Sequence, residues 1–213
     1  MPDAGPMSGR KAQAARNDDL ILEAARAVFI ENPDAPIALV ADRAGVGISA
    51  LYRRYPSKEA LIGKLCLDGL RTYVALAEEA VADEGDPWES FATFMRRSVE
   101  AGTSALTVKL AGLFTPTQEH WTDSVRAFEL NATLQERIVS SGVVREDFEM
   151  ADVAMIFEML SSLKLGDDAR SAALRQRYLT FYLDALHDPP LRTELPAPGP
   201  KDEELSRRWE PHR

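Results

Sequence analysis

The chain has 213 residues, of which 45% are hydrophobic and 28% are charged, with 12 glycines and 13 prolines. This length suits one large domain or two small ones, and the composition excludes collagen-like, mucin-like and wholly disordered chains. The formal net charge of -9 argues at first against a nucleic-acid partner, because proteins bind such partners by neutralising phosphates.

Cysteine usage and hydropathy indicate the cellular compartment. Cys66 is the single cysteine and the three histidines are widely spaced, so we predict no disulfide, no metal site and no cofactor. The sequence has no apolar run of the roughly 18 residues that a membrane span needs, and its N-terminus lacks the apolar segment of a signal peptide. We therefore expect a cytoplasmic protein without a membrane partner.

The prolines cluster near the two ends of the sequence. Five lie in residues 1–56 and six in residues 189–213, which leaves only Pro87 and Pro116 between them. A stretch so poor in helix breakers, without the alternating pattern of strands, predicts an all-α fold of about nine helices. Apolar periodicity and capping residues predict helices over 17–30, 37–44, 48–55, 57–83, from 87 onward, 116–142, 150–165 and 168–187.

Residues 37–55 contain two helices of about two turns each, joined by a turn at Gly45, which is typical of a helix-turn-helix. Four basic and no acidic residues lie between Arg43 and Lys58, so the local charge is +4. Lys58 falls in the first turn of the next helix, where the helix dipole disfavours a cation unless a phosphate also binds there. The alternative is a pair of short helices with a solvated basic edge.

Residues 20–65 contain an ordered set of short motifs: Ile21 to Ala25, Phe29, Ala41 to Val46, Leu51 to Tyr55 and Ser57 to Leu61. With this set, the segment resembles the DNA-binding domain of the TetR family of transcriptional regulators. The candidate DNA-binding residues that follow are Arg43, Gly47, Ile48, Ser49, Ala50, Tyr52, Arg53, Arg54 and Lys58. The resemblance implies that Tyr52 and Lys58 hold phosphates, and that Ile48, Ser49 and Arg53 face bases.

The sequence departs from the family pattern at two places. Gly47 stands where the family often has Ser or Thr, and Ala35 and Pro36 stand where it often has Thr, so hydroxyl contacts to phosphate are missing there. Ile48 has no donor and can read only a thymine methyl group or groove shape, so we expect base specificity to rest more on Arg53, which suits guanine.

Four regions are predicted along the chain. Residues 1–16 form an arm with Arg10, Lys11 and Arg16, which either enters a minor groove or is a disordered basic tail. Residues 17–60 form the DNA-binding domain, and residues 61–188 form the helical domain for ligand binding and dimerisation. Residues 189–213 form a proline-rich charged tail that we expect to be disordered.

The last two predicted helices are apolar on more than one side, which indicates a dimer interface or a ligand cavity, or else a fully buried central helix. The resemblance implies a four-helix dimer interface, with candidates Val153, Ile156, Phe157, Leu160, Leu174, Tyr178, Phe181 and Tyr182. It also implies a ligand among helices that carry Trp88, Phe91, Phe94, Met95, Trp121, Val125, Phe128, Met155 and Met159. His120, Arg126 and Glu129 are candidate polar anchors for that ligand.

The resemblance implies a homodimeric DNA-binding regulator, a repressor that a small molecule releases from a palindromic double-stranded operator. The sequence shows no catalytic constellation, so we predict no enzyme. The alternative is an interaction protein whose helix-turn-helix has lost DNA binding. Residues 1–58 carry a net +1 and residues 59–213 a net -10, so we expect the acidic body to weaken non-specific binding and to make DNA binding sensitive to salt.

Overall fold

The protein is built from helices that form two hydrophobic cores. The structure is a computed structural model that describes residues 7–103, 109–187, 193 and 195–207. Its named helices are α1 (Met7–Glu31), α2 (Ile37–Ala44), α3 (Ile48–Arg54), α4 (Lys58–Ala82), α5 (Pro87–Ala101), α6 (Gln118–Ser140), α7 (Met150–Ser162), α8 (Asp168–Leu186) and α9 (Asp202–Ser206). The predicted all-α class is confirmed, and one antiparallel bridge between Val144 and His187 is the only extended pairing in these ranges.

Helix α1 begins ten residues before its predicted start at Asn17. The added turns carry Lys11, Gln13 and Arg16 among alanines, all of which favour helices, so the helix continues through the expected boundary. Asn17 does not cap the helix, because its side-chain oxygen accepts a bond of 2.9 Å from Gln13 Nε2 inside the helix.

Several predicted helix ends are confirmed by their bonding. Ser57 Oγ accepts from the Ala60 amide at 3.1 Å, and an oxygen of Asp86 accepts from the Glu89 amide at 2.9 Å. Gly45 has a φ of 66°, in the left-handed region that favours glycine, and it ends α2 as expected.

The N-terminal core lies between α1, α2, α3 and the first half of α4. Its buried residues include Val28, Phe29, Val40 and Leu51, and Leu110 and Phe114 also belong to it. Those last two residues come from far along the chain, so the N-terminal helices are packed against the rest of the molecule as well as against each other.

Helix α4 contributes to both cores. Leu61, Ile62 and Leu65 pack in the N-terminal core. Leu76 and Ala80 pack in the C-terminal core, together with α5, α6, α7 and α8. The N-terminal and C-terminal cores are therefore joined by one continuous helix of 25 residues, which begins shortly after α3 ends.

The described part of the tail lies against the segment that precedes α7. Arg145 donates to the Thr193 carbonyl at 3.0 Å, and a Cβ placed on Gly199 would lie 2.9 Å from Glu149 Oε2. Residues 189–192, 194 and 208–213 of the tail that we expected to be disordered lie outside the described residues. Among the described helices, none combines the length and the apolar character needed to cross a membrane.

Candidate nucleic-acid interface

Helix α3 packs against the N-terminal core with one side and is exposed on the other. Its residue Leu51 is fully buried, and Tyr55 is buried just after its end. On the opposite side Ile48 is 40% exposed and Tyr52 is 47% exposed, and Ser49 and Arg53 are exposed as well. We call Ile48, Ser49, Tyr52 and Arg53 the recognition face, and we call α3 the recognition helix.

The recognition face carries polar groups with free bonding capacity. Within the described part of the chain, Tyr52 and Arg53 make no side-chain hydrogen bond and no ion pair. A phenol and a guanidinium that are both exposed and uncommitted can bond to phosphates and base edges.

The turn before α3 brings the helix close to α2. The Val46 amide donates to the Ala41 carbonyl at 3.0 Å, which closes the end of α2. Gly47 then stands at the N-cap of α3 in extended conformation without a side-chain cap, and Ala50 lies half-buried in the first turn. These two small residues leave Ile48 as the one large side chain in the first turn of α3.

Lys58 stands at the first position of α4, as the sequence indicates. Its Nζ lies 5.3 Å from the centroid of the Phe29 ring, in cation–π geometry. This contact offsets part of the unfavourable interaction between a cation and the start of a helix. The lysine is thus held by α1, directly after the cap residue Ser57.

Arg54 is held by α1. Its Nε and Nη2 each donate to a carboxylate oxygen of Asp18 at 2.8 Å, and the Tyr55 hydroxyl donates to the same carboxylate at 2.7 Å. The hydrogen bond from Arg54 lowers the pKa of Asp18, while burial and the neighbouring Asp18 raise the pKa of Tyr55. Asp18 therefore ties the end of α3 to α1, and Arg54 has less freedom to contact DNA than Arg53 has.

Two other predicted basic groups lie away from the recognition face. Arg43 lines a cleft between α1 and the C-terminal core. Arg16 is part of α1 and donates to Gln13 Oε1 at 2.8 Å. The side chains of Arg10 and Lys11 lie outside the described residues.

The nine residues predicted near a ligand are found in three separate places. Phe91, Phe94 and Met95 are buried in the C-terminal core, with Trp88 half-buried at its edge. On α6, Trp121, Val125 and Phe128 are 57–58% exposed. On α7, Met159 is exposed and Met155 is half-buried.

The eight residues predicted at a dimer interface divide into buried and exposed groups. Five belong to the C-terminal core of the single chain or lie buried beside it, namely Val153, Ile156, Phe157, Leu160 and Leu174. Tyr178 is 44% exposed and Phe181 is 55% exposed, with ring centroids 6.1 Å apart, and the Tyr182 hydroxyl lies 3.6 Å from Met159 Sδ. We call Met159, Tyr178, Phe181 and Tyr182 the α7–α8 face.

The candidate polar anchors near α6 have structural partners. His120 is buried, and its Nε2 lies 2.9 Å from the Gly63 carbonyl, so it joins α6 to α4. Arg126 forms an ion pair of 2.9 Å with Glu78 of α4. Sequence reasoning missed Asp18 as a partner of Arg54, because 36 residues separate the two and no local pattern connects them.

Comparisons with known proteins point to one family. Residues 21–65 match the family model described as bacterial regulatory proteins, tetR family. No match was found among curated protein sequences.

Solved structures extend the likeness over most of the chain. A TetR transcription regulatory protein from Mycobacterium vanbaalenii is 26% identical, with a TM-score of 0.54 over 83% of this chain and 98% of its own. The regulator SCO0520 from Streptomyces coelicolor is also 26% identical, with a TM-score of 0.51 over 79% of this chain and 97% of its own. PfmR from Thermus thermophilus, at 22% identity, has a TM-score of 0.54 over 79% of this chain and 98% of its own. These are transcriptional regulators, in agreement with the prediction that the chain is not an enzyme.

Proposed function

Because this chain is a transcriptional regulator of the TetR family, we propose that it is a homodimeric repressor that a small molecule releases from a palindromic DNA operator. The observation that carries the DNA-binding part is the recognition face, where Tyr52 and Arg53 are exposed and uncommitted on a helix fixed by Leu51. We place its site of action in the cytoplasm, where its DNA is.

The residues of the recognition face have different roles in this proposal. Tyr52 donates its hydroxyl to a phosphate, and Lys58 holds a second phosphate from the start of α4. Arg53 reads guanine, Ile48 packs on a thymine methyl group, and Ser49 bonds to either a base or the backbone.

The remaining candidates support that contact. Gly47 and Ala50 allow α3 to enter the major groove closely. Arg54 acts mainly by fixing the end of α3 through Asp18, and Arg43 contributes positive charge at the side of the domain.

Dimerisation is proposed through the α7–α8 face. Tyr178 and Phe181 expose large aromatic rings, and Met159, which contacts the Tyr182 hydroxyl, is exposed as well, so a second copy of the same face would remove this apolar surface from water. Two recognition helices in such a dimer bind half-sites when they lie about 34–36 Å apart, which is one turn of DNA.

Release is proposed as a population shift carried by α4. That helix packs in both cores, so a change in the C-terminal core moves the end that follows the recognition helix. The predicted ligand residues of α5 are closely packed, since Phe91, Phe94 and Met95 are buried. A ligand that binds among them would therefore favour a more open arrangement of α5, α6 and α7.

Selection of bound duplexes from a random DNA pool tests this function. The proposal expects enrichment of an inverted repeat with half-sites about one helical turn apart. Compounds that release the selected duplex are then identified by fluorescence anisotropy. A pool without enrichment would instead favour an interaction protein that has lost sequence-specific DNA binding.

A further inference from the structure

A cleft of about 600 Å³ lies between the N-terminal helices and the C-terminal core. Residues of α1 and α2 line one side, and residues of α5, α7 and α8 line the other. Its volume falls within the roughly 300–1,000 Å³ of small-molecule sites. We propose that this cleft binds an organic carboxylate with an apolar body, held between Arg26 of α1 and Arg175 of α8.

The two arginines are unusual because they are half-buried and carry no carboxylate partner within the described ranges. Arg26 Nη1 donates to the Ala101 carbonyl at 3.3 Å, and Arg175 Nη1 donates to the Leu163 carbonyl at 3.3 Å. Each bond caps the end of a helix but neutralises no full charge. A guanidinium has five N–H donors, so both groups retain donors for a bidentate contact with a carboxylate.

Two lysines add to the positive potential of the cleft. Lys164 lines it, and Lys109 donates to the carbonyl of Ile30, another lining residue, at 2.7 Å. Burial lowers the pKa of Lys109, and the nearby Lys164 ammonium lowers it further. An anion bound nearby would offset the repulsion between these two like charges.

The carboxylates around the cleft do not occupy its interior. Glu23, Glu31, Glu100 and Asp168 line it, but all four are exposed, in contrast to the half-buried Arg26 and Arg175. The four acids are therefore exposed to water, whereas the two half-buried charged groups of the lining, Arg26 and Arg175, are both cationic. This arrangement favours an anion bound inside over a cation.

The floor of the cleft is apolar. Val99, Phe157 and Leu160 line it and are buried in or beside the C-terminal core. Inorganic anions gain nothing from such a surface, whereas the hydrocarbon part of an organic acid buries area against it. The ligand class is therefore a carboxylate that carries an aliphatic or aromatic body.

A ligand in this cleft would bridge the two cores. Arg26 belongs to the helix that also carries Asp18 and supports the recognition helix, whereas Arg175 belongs to α8, which packs in the C-terminal core. Binding that depends on both arginines favours one relative position of the two cores. The ligand therefore changes the affinity for DNA, and DNA changes the affinity for the ligand by the same factor. This coupling rests on the proposed function, but the site itself does not.

Isothermal titration of the full chain with octanoate tests the site, with 1-octanol and inorganic phosphate as probes of the apolar and anionic parts alone. We expect one octanoate per chain, and a loss of about tenfold or more in affinity for both Arg26→Gln and Arg175→Gln, because each loses a charge-assisted contact. Glutamine retains an amide that can cap the carbonyl, so the fold is kept. The matched control is Arg96→Gln, which removes an exposed arginine of α5 outside the cleft.

The outcomes separate the site from the function. The site would be overturned if octanoate bound wild type and both cleft variants with equal affinity, or showed no arginine-dependent binding at all. It would also be overturned if wild type bound 1-octanol as tightly as octanoate. If octanoate binding depends on the arginines but octanoate leaves the affinity for the selected duplex unchanged, the site is upheld and its coupling to DNA is overturned. If the chain binds no DNA specifically, the proposed function fails while the titration still decides the site.

Discussion

The recognition face and the α7–α8 face are both exposed, but they present different chemistry. The recognition face combines a phenol, a guanidinium and a hydroxyl with one apolar side chain, whereas the α7–α8 face presents aromatic rings and a thioether. The first can exchange water for phosphate oxygens and base edges, and the second loses water only by meeting another apolar surface. Exposure alone therefore does not identify a partner, since the chemistry of the exposed groups decides it.

The two cores differ in how they support these faces. The N-terminal core holds α3 through buried residues of α1, α2 and α4 and also through the exposed Asp18 contact with Arg54, so a single polar group contributes there. The C-terminal core holds α7 and α8 through many buried apolar residues, such as Phe157 and Leu160. Substitutions that separate support from contact can be chosen on each face.

The largest effect is expected in the C-terminal region, from a comparison of two phenylalanines on adjacent helices. Phe157 is 4% exposed and Phe181 is 55% exposed. Phe157→Asp buries an unpaired charge and should unfold the C-terminal core. Phe181→Asp should leave the fold intact but convert the proposed dimer to monomers, as measured by circular dichroism and analytical ultracentrifugation.

The Phe181→Asp variant can also contradict the assignment of the α7–α8 face to the dimer interface. A folded Phe181→Asp variant that sediments as a dimer at micromolar concentration would remove the α7–α8 face from the interface. Arg177→Gln is a suitable control, because Arg177 stacks on the Phe181 ring at 5.4 Å and its loss adds no charge to the apolar surface.

A smaller effect is expected from Arg53, with Arg54 as its neighbour and counterpart. Arg53→Gln should reduce the preference for the selected duplex over a scrambled one by about 1–3 kcal/mol, because a bidentate contact with guanine is lost. Arg54→Gln should mainly lower stability, because it removes the ion pair with Asp18. Anisotropy titrations and thermal melts of both variants measure the two effects.

The reverse pattern would overturn the assignment of roles. If Arg54→Gln changes the preferred sequence at unchanged stability while Arg53→Gln does not, then Arg54 reads the bases and its contact with Asp18 is released on DNA.

The smallest effect is expected from Asp18→Asn, which tests the support of α3. Hydrogen bonding to Arg54 lowers the pKa of Asp18, so its contribution is present above the ordinary pKa of about 3.9 and is lost as the pH falls through the lower value in the folded state. We expect a loss of about 1 kcal/mol at pH 7, since Arg54 is exposed, and a convergence with wild type that begins below about pH 4 and is complete only below the lowered pKa of the folded state. Denaturant melts across this pH range measure it.

The adjacent acid provides the control for that experiment. Asp19 is exposed and has no bonded partner within the described residues, so Asp19→Asn should leave the stability unchanged at every pH. A pH-independent difference between Asp18→Asn and wild type would show that the carboxylate charge does not stabilise the fold.

Sequence reasoning was most successful where signals are local. Gly45, Ser57 and Asp86 predicted helix ends that the structure confirms, because capping depends on residues within a few positions. The long α1 was missed because an alanine-rich segment has no apolar stripe, although its residues favour helix.

Long-range contacts were beyond such reasoning. The Asp18 bond to Arg54 spans 36 residues, and the His120 contact with Gly63 spans 57. Apolar periodicity placed Phe157 and Phe181 in one set, since it identifies apolar faces without showing which of them a neighbouring helix covers.

The salt dependence of affinity for the selected duplex tests the central claim, DNA binding through the recognition face, most directly. We predict a steep linear fall of log affinity with log salt in wild type, and a smaller slope in Lys58→Ala, by about one per subunit. Lys64→Ala, which removes a lysine paired with Asp68 on α4, should keep the wild-type slope. An affinity that is independent of salt, or a slope that Lys58→Ala leaves unchanged, would contradict the account.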